Sequence, residues 1–265
     1  MRPLAELALA AVTPLRGVVF DLDGTLLTDG ALTLEAYRSL FSLRERGLRL
    51  VACTGRPAGW GAVIARQWPI DLAVTENGAV AFRRDGARLS VLDSLPEEAR
   101  RARRERLLEV VASLHREFPE IPLADDNQER RSDVTFDVRE TVNISSSRVA
   151  ELRLAAAREG ARTFESSIHV HVTLDAEDKA SGTVRALARA YGDDATKALG
   201  TYAFVGDSGN DEACFSAFHV TFGVSNVARW ARRLSVPPRF VAAQPEGAGF
   251  AAIAARLLVL RASST

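Results

Sequence analysis

Short apolar runs alternate with longer amphipathic segments along most of the chain, which is typical of α/β proteins with a parallel sheet. The runs are rich in β-branched residues and do not alternate with polar positions, as expected for strands buried on both faces. The predicted strands are 18–20, 48–53, 72–75, 202–206 and 219–224. The predicted helices are 33–46, 57–68, 179–191, 211–218 and 247–260. The Asn77-Gly78 pair is a hairpin signal, so residues 80–82 are expected to pair with residues 89–92.

The pattern changes after Ser94. A long charged helix is predicted over 96–117 and a second helix over 145–159, while strands are predicted over 133–139, 161–165 and 168–174. Glutamates offset the arginines of the first helix, so these arginines are expected to form a solvated helix face. The strands alternate apolar with polar residues, which predicts an antiparallel sheet with two helices on one face and a polar opposite face. The fold class is therefore an α/β Rossmann-like core with an inserted α+β domain. Residues 14–93 and 176–262 form the predicted core, and residues 94–175 form the insertion.

Two aspartates, Asp21 and Asp23, follow the first predicted strand directly, and Gly24-Thr25 comes next. Carboxylates this close repel one another unless a cation or a shared proton relieves them. With a hard cation bound, one carboxylate stays ionised as a nucleophile while the other acts as general acid and base. The carboxyl ends of strands are also where open α/β sheets bind their ligands.

Polar residues follow three further predicted strands: Thr54-Gly55-Arg56, Asn77-Gly78 and Asp207-Ser208-Gly209-Asn210-Asp211. Because parallel strands end at one edge, these groups are expected to meet Asp21 and Asp23 there. Several carboxylates at one edge predict a divalent cation, and oxygen ligands with open water positions favour Mg²⁺. A lysine would neutralise charge on the nucleophile and on a phosphoryl group, and Lys179 begins a predicted helix.

Composition narrows the functional classes. The chain has 265 residues, 47% of them apolar, and a formal net charge of zero, so nothing predicts an electrostatic nucleic-acid binder. Lys179 and Lys197 are the only lysines in a chain rich in arginine. No apolar run is long enough for a membrane span. Two isolated cysteines in apolar stretches predict free thiols and a cytoplasmic location. The oligomeric state is left open.

In these motifs the chain resembles the haloacid dehalogenase superfamily of phosphatases. The residues that carry the resemblance are Asp21-Leu22-Asp23-Gly24-Thr25, Thr54-Gly55-Arg56, Lys179 and Gly206-Asp207-Ser208-Gly209-Asn210-Asp211. The insertion resembles a type IIB cap, as in sucrose-phosphate, trehalose-phosphate and mannosylphosphoglycerate phosphatases and in phosphomannomutases. The resemblance implies an α/β core with a cap over the active site.

The resemblance also implies a role for each matched residue. Asp21 is expected to be the nucleophile that forms an aspartyl-phosphate, and Asp23 the general acid and base. Thr54 is expected to bind phosphate, and Lys179 to balance charge. The implied Mg²⁺ ligands are the carboxylates of Asp21 and Asp207 and the carbonyl of Asp23, with Asp211 either a ligand or a holder of water and Asn210 an orienting group.

The first hypothesis is a Mg²⁺-dependent phosphomonoesterase that acts on a small phosphorylated metabolite, such as a sugar phosphate. Its expected substrate-binding residues are Thr54, Gly55, Arg56, Asn77, Arg130, Arg131, His169, His171 and Asn210. The second hypothesis is a phosphomannomutase-like phosphotransferase, in which Arg130 and Arg131 would hold a second phosphate. The third is a non-catalytic binding module with a leftover acidic pocket.

Overall fold

The structure is a computed structural model, and it describes residues 1–166 and 168–262. Strands and helices alternate through the first and last thirds of the chain, as the apolar pattern predicts. The strands are β1 Arg2–Pro3, β2 Gly17–Phe20, β3 Arg49–Cys53, β4 Leu72–Thr75, β5 Val80–Asp85, β6 Arg88–Asp93, β7 Asp133–Asp137, β8 Arg162–Glu165, β9 His169–Thr173, β10 Tyr202–Gly206, β11 Val220–Gly223 and β12 Phe240–Val241. The helices are α1 Leu9–Val12, α2 Leu34–Glu45, α3 Ala58–Gln67, α4 Glu97–Glu117, α5 Ser146–Arg158, α6 Lys179–Tyr191, α7 Ala195–Thr201, α8 Glu212–Ala217 and α9 Glu246–Ala262.

Nine of the described strands form one sheet in the order β1-β12-β11-β10-β2-β3-β4-β5-β6. Pairing is parallel from β1 to β4 and antiparallel where β5 and β6 extend the sheet. Neighbouring residues of β2 enter different apolar clusters: Val18 and Phe20 pack on the side of α2 and α9, and Val19 packs on the side of α6 and α8. Helices therefore cover both faces of the central strands, which confirms the predicted α/β core.

The predicted pairing of residues 80–82 with residues 89–92 is confirmed, because Phe82 lies opposite Val91 and Ala81 opposite Leu92. The Asn77-Gly78 turn nevertheless joins β4 to β5 rather than β5 to β6. Three consecutive residues there, Glu76, Asn77 and Gly78, have positive φ angles. This left-handed stretch reverses the chain at the edge of the parallel sheet and holds Asn77 in a buried position.

A separate three-stranded antiparallel sheet, in the order β7-β9-β8, forms a second unit with α4 and α5. This unit, from Glu97 to Thr173, is called the cap below. Its apolar strand face, with Val134 and Phe136, packs on the two helices. Its polar face is buried as well, since Thr135 and His171 are almost inaccessible to solvent. A buried polar face implies that the core covers most of it.

The arginines of α4 were expected to form a solvated helix face, and this interpretation is wrong for Arg100. Arg100 is buried, and its guanidinium lies 2.6 Å from Asp93 and 2.5 Å from Asp175. Asp93 ends β6 before the cap begins, and Asp175 follows the cap on the return to the core. Asp93 and Asp175 lie far apart in sequence. The helix pattern alone therefore could not reveal that Arg100 joins the two chain segments that connect the core to the cap.

Helix α6 approaches the Asn77-Gly78 turn too closely for side chains. A Cβ atom at Gly182 would lie 2.2 Å from the Gly78 carbonyl oxygen, and one at Gly78 would lie 2.1 Å from the Asp178 carbonyl oxygen. The two glycines therefore set the position of the first turn of α6, which carries Lys179. Within the described residues, no helix combines the length and the apolar character that crossing a lipid bilayer requires.

We expect Gly182→Ala to lower the free energy of unfolding by about 1–3 kcal/mol, because overpacking outweighs the gain in helix propensity. Gly200→Ala is the matched control: it lies in α7, and its new Cβ would be 3.3 Å from the nearest His219 atom. Urea unfolding of both variants measures the difference. Equal stability of the two variants would mean that the close contact does not constrain α6.

Candidate active site

A buried ion cluster lies at the carboxyl edge of the parallel sheet. The Lys179 Nζ atom is 2.8 Å from Asp21 Oδ1 and 2.7 Å from Asp211 Oδ1. Lys179 and Asp211 are fully buried, and Asp21 is nearly so. Burial opposes the charge on Lys179, but the two carboxylates hold the pKa of its ammonium above the ordinary value. The structure thus joins residues from the ends of β2 and β10 and from the start of α6.

Asp211 organises the loop after β10. Its Oδ2 atom accepts hydrogen bonds from the backbone N–H groups of Asp207, at 2.8 Å, and of Ser208, at 3.1 Å. Its other oxygen holds Lys179. Both oxygens of Asp211 are therefore engaged, and its carboxylate positions the lysine and the loop.

Asp207 is oriented by two polar neighbours. Thr25 donates its hydroxyl hydrogen to Asp207 Oδ1 at 3.1 Å, and the Asn226 side-chain amide donates to Asp207 Oδ2 at 2.8 Å. The same amide donates to the Gly24 carbonyl oxygen at 2.9 Å. The Asp-Gly-Thr turn after β2 and the loop after β10 are thereby fixed against each other.

The donor set fits a hard divalent cation. One carboxylate oxygen from each of Asp21, Asp207 and Asp211 lies within 4.8 Å of the others. Burial, together with the other carboxylates, raises the pKa of Asp21 to about 7 and that of Asp207 well above its ordinary value. Three carboxylates against one lysine leave negative charge that a cation with oxygen ligands would balance. The Asp23 carboxylate is not part of this group and turns towards Arg56.

Arg56 binds Asp23 through two donor atoms. Its Nε atom lies 2.9 Å from Asp23 Oδ2, and its Nη2 atom lies 2.6 Å from Asp23 Oδ1. The guanidinium also stacks over the Trp60 ring, with 4.0 Å between its central carbon and the ring centroid. The predicted acid–base residue thus has a fixed orientation beside Asp21.

The cap places histidines opposite this cluster. His171 Nδ1 is 2.9 Å from Asp133 Oδ2, and Arg130 Nη1 is 3.0 Å from Asp133 Oδ1. Burial acts against the charge on Asp133, but Arg130 and His171 lower the pKa of that carboxyl to about 2. Burial lowers the pKa of His171, so its ring is neutral at pH 7 and donates from Nδ1 to Asp133. Arg130 also donates to the Gly55 carbonyl oxygen at 2.8 Å, which joins the cap to the core.

A cavity of about 200 Å³ lies between the ion cluster and the polar face of the cap. Its lining residues come from both units. They are Asp21, Asp23, Gly55, Arg56, Trp60, Asp125, Asp126, Arg130, Glu140, Ser166, Ile168, His169, His171, Ser208 and Asn210. The polar face of the cap, which the sequence predicted, therefore forms a wall of the cavity at the sheet edge.

Most of the residues predicted for substrate binding surround this cavity. Thr54 is fully buried beside it, and its hydroxyl oxygen accepts a hydrogen bond from the Arg56 backbone N–H at 3.1 Å. His169 is held by Glu140 at 2.8 Å. Arg131 is not brought into the cavity, because its guanidinium pairs with Glu97 at 3.4 Å.

Arg130 lines the cavity, but its donors are already engaged. In addition to Asp133 and Gly55, its Nη2 atom lies 2.7 Å from Asp126 Oδ2. Arg130 and Arg131 therefore do not form the paired phosphate-binding site that a phosphotransferase would need. The nearest partners of both guanidinium groups are protein carboxylates.

Sequence reasoning missed two residues that shape the site. Asn226 follows β11, and the same strand-end rule could have found it. Glu76 is buried with φ +50°, and its carboxylate accepts hydrogen bonds from the Ala58 and Arg131 backbone N–H groups, each at 2.9 Å. It also accepts a hydrogen bond from the Ser132 hydroxyl at 2.6 Å. No sequence signal marked Glu76, because two of its three partners, Arg131 and Ser132, belong to the cap.

Comparison with known proteins places these features in context. Residues 18–102 match the family of haloacid dehalogenase-like hydrolases. No curated protein matches the sequence. The fold is similar to that of a Thermoplasma acidophilum protein, with a TM-score of 0.70, 22% identity, and coverage of 92% of this chain and 98% of that one.

Two further solved structures share the fold. A sucrose-phosphatase from Synechocystis sp. PCC6803, solved with sucrose and phosphate, has a TM-score of 0.66 and 15% identity, with coverage of 92% of this chain and 98% of that one. A trehalose-6-phosphate phosphatase related protein has a TM-score of 0.60 and 17% identity, with coverage of 94% and 100%. The family match and the shared fold confirm the predicted resemblance and the core with an inserted antiparallel unit.

The raised pKa of Asp21 predicts that a divalent cation, with Mg²⁺ as the test ion, affects stability in a pH-dependent way. An unfolded aspartate has a pKa of about 3.9, so without a cation the folded protein holds the extra proton between about pH 4 and 7 and loses stability as the pH rises through that range. We therefore expect Mg²⁺ to raise the melting temperature more at pH 8 than at pH 5, where binding must displace the proton. Thermal melts at matched ionic strength measure this, and Asp207→Asn should abolish the difference. Equal shifts at both pH values would contradict the account.

Proposed function

We propose that this haloacid dehalogenase-like hydrolase is a Mg²⁺-dependent phosphomonoesterase that acts on a small phosphorylated metabolite of the sugar-phosphate class. The observation that carries the proposal is the buried Asp21 carboxylate, which is paired with Lys179 and faces a small cavity between core and cap. A buried carboxylate beside a cation site and a lysine suits a nucleophile towards phosphorus. The fully buried free thiols Cys53 and Cys214 support a reducing, cytoplasmic location.

The carboxylates of Asp21 and Asp207 would hold the Mg²⁺ ion, together with the Asp23 carbonyl that the family resemblance implies. When bound, the ion would neutralise phosphoryl oxygens and keep Asp21 ionised. Asp21 would attack phosphorus, forming the aspartyl-phosphate as the bond to the leaving oxygen breaks. Lys179 would balance charge on Asp21 and on the phosphoryl group. Thr54 would donate its hydroxyl hydrogen to a phosphoryl oxygen.

Asp23 would give a proton to the leaving oxygen and then take one from the water that attacks the phosphorus of the aspartyl-phosphate. That second step releases inorganic phosphate and restores the Asp21 carboxylate. Arg56 would hold the Asp23 carboxylate at the cavity wall for both proton transfers. The cap would exclude bulk water and contact the leaving group.

A phosphotransferase of the mutase kind has weaker support. It needs a site for a second phosphate, and the guanidinium groups of Arg56 and Arg130 are both bound to carboxylates. A non-catalytic module has no specific support, because every residue type that the hydrolysis needs is present at the site. Hydrolysis with transfer to water is therefore the reaction that these contacts favour.

The direct test is hydrolysis of p-nitrophenyl phosphate with MgCl₂ and with excess EDTA. We expect turnover only with the metal, and a loss in kcat of at least about 10⁴-fold in Asp21→Asn, because the amide cannot act as the nucleophile. Asp85→Asn, at the exposed end of β5, is the matched control and should retain wild-type activity. Wild-type inactivity with Mg²⁺, or full activity of Asp21→Asn, would refute the proposal.

A further inference from the structure

The Asn77 side chain has an unusual hydrogen-bonding state. Its Oδ1 atom accepts from Asn210 Nδ2 at 3.1 Å, and Asn210 Oδ1 in turn accepts the Ser208 hydroxyl at 2.8 Å. This chain fixes the orientation of the Asn77 amide. Its Nδ2 atom is nevertheless buried and has no hydrogen-bond partner among the described residues. A buried unpaired donor is costly, so a missing acceptor is the natural explanation.

The space in front of this donor lies above the α-carbon of Gly55. A Cβ atom built at Gly55 would be 3.4 Å from Asn77 Nδ2 and 3.1 Å from His171 Nε2. The two nitrogens thus face the same small space, one from the core and the other from the cap. Gly55 belongs to the loop that holds Thr54, so this space adjoins the expected phosphate site.

His171 supplies the opposite hydrogen-bonding character. Its Nδ1 atom is 2.9 Å from the Asp133 carboxylate, which Arg130 also binds. An ionised carboxylate at that distance requires the proton on Nδ1, so the neutral ring presents Nε2 as an acceptor. A donor from Asn77 and an acceptor from His171 together match a single hydroxyl group, which accepts one hydrogen bond and donates another.

No free cation is available for an anionic leaving group among the described residues that line the cavity. Among the described lining residues the arginines are Arg56 and Arg130, and both are paired with carboxylates. Glu140 and Asp125 add negative charge to the cap wall. A carboxylate or second phosphate on the substrate would meet the Nε2 lone pair of His171 and these acidic groups, whereas a neutral hydroxyl would not.

From this geometry we propose that Asn77 and His171 form a recognition site for a neutral hydroxyl group next to the phosphoester of the leaving group. The inference rests on the proposed function, because it takes the phosphoryl group to bind beside Thr54. The hydroxyl accepts from Asn77 on the core and donates to His171 on the cap. Substrates of this class are polyol monophosphates, and their binding links the cap to the core.

The test compares the binding of two ligands that differ by one hydroxyl, the one on the carbon next to the phosphoester: sn-glycerol 3-phosphate and 3-hydroxypropyl phosphate. Calorimetry with Mg²⁺ on the Asp21→Asn protein measures affinity without turnover. We expect the hydroxyl-bearing ligand to bind at least about tenfold more tightly, because the analogue leaves both buried groups unpaired. Phosphoglycolate, which bears a carboxylate instead, should bind more weakly than glycerol 3-phosphate.

The deciding variant adds His171→Asn, whose amide retains a donor for Asp133 but removes the acceptor at Nε2. The preference for glycerol 3-phosphate over 3-hydroxypropyl phosphate should then fall to within about threefold. His115→Asn, at an exposed position on α4, is the matched control and should leave the preference unchanged. An unchanged preference in the His171 variant, or none in its parent, overturns the inference. This result is independent of p-nitrophenyl phosphate hydrolysis, whose absence would instead refute the proposed enzymatic activity.

Discussion

The structure depends on one electrostatic constraint, the burial of three carboxylates and one ammonium group at the edge of a parallel sheet. Lys179 contacts Asp21 and Asp211 within hydrogen-bonding distance, and all three are screened from water. A buried charge is tolerated only when it is paired, so the first turn of α6 and the loops after β2 and β10 must stay in register. The close contact between Gly78 and Gly182 supports the same arrangement, because it lets the first turn of α6 place Lys179 beside the carboxylates.

Charge pairing within this cluster is incomplete, and the unbalanced negative charge suits it to bind a cation. One lysine cannot balance Asp21, Asp207 and Asp211, and burial together with the remaining repulsion raises the pKa values of Asp21 and Asp207. A divalent cation would remove that repulsion and leave an ionised carboxylate facing the cavity. Without a cation this excess of carboxylate charge would destabilise the protein. With a divalent cation bound, the site would suit an anionic phosphoryl group.

Much of this arrangement could be predicted from the sequence. The end of a buried strand is a local feature, so Asp21, Thr54 and Asp207 could be assigned to one edge from apolar runs and the parallel rule alone. Contacts across the two units could not. Glu76 and Arg100 were missed or misinterpreted because their partners are in the other unit or in the connections to it. Likewise, nothing in the sequence showed that Arg130 is already bound to Asp126 and Asp133.

The central claim is that Asp21 itself accepts the phosphoryl group, and covalent trapping tests it most directly. Acid quenching during turnover, followed by borohydride reduction, converts an aspartyl-phosphate to homoserine, which peptide mass spectrometry locates. The account predicts homoserine at position 21 in a Mg²⁺-dependent reaction. Modification at Asp23 or Asp207 instead, or active turnover with no modified aspartate, would contradict it.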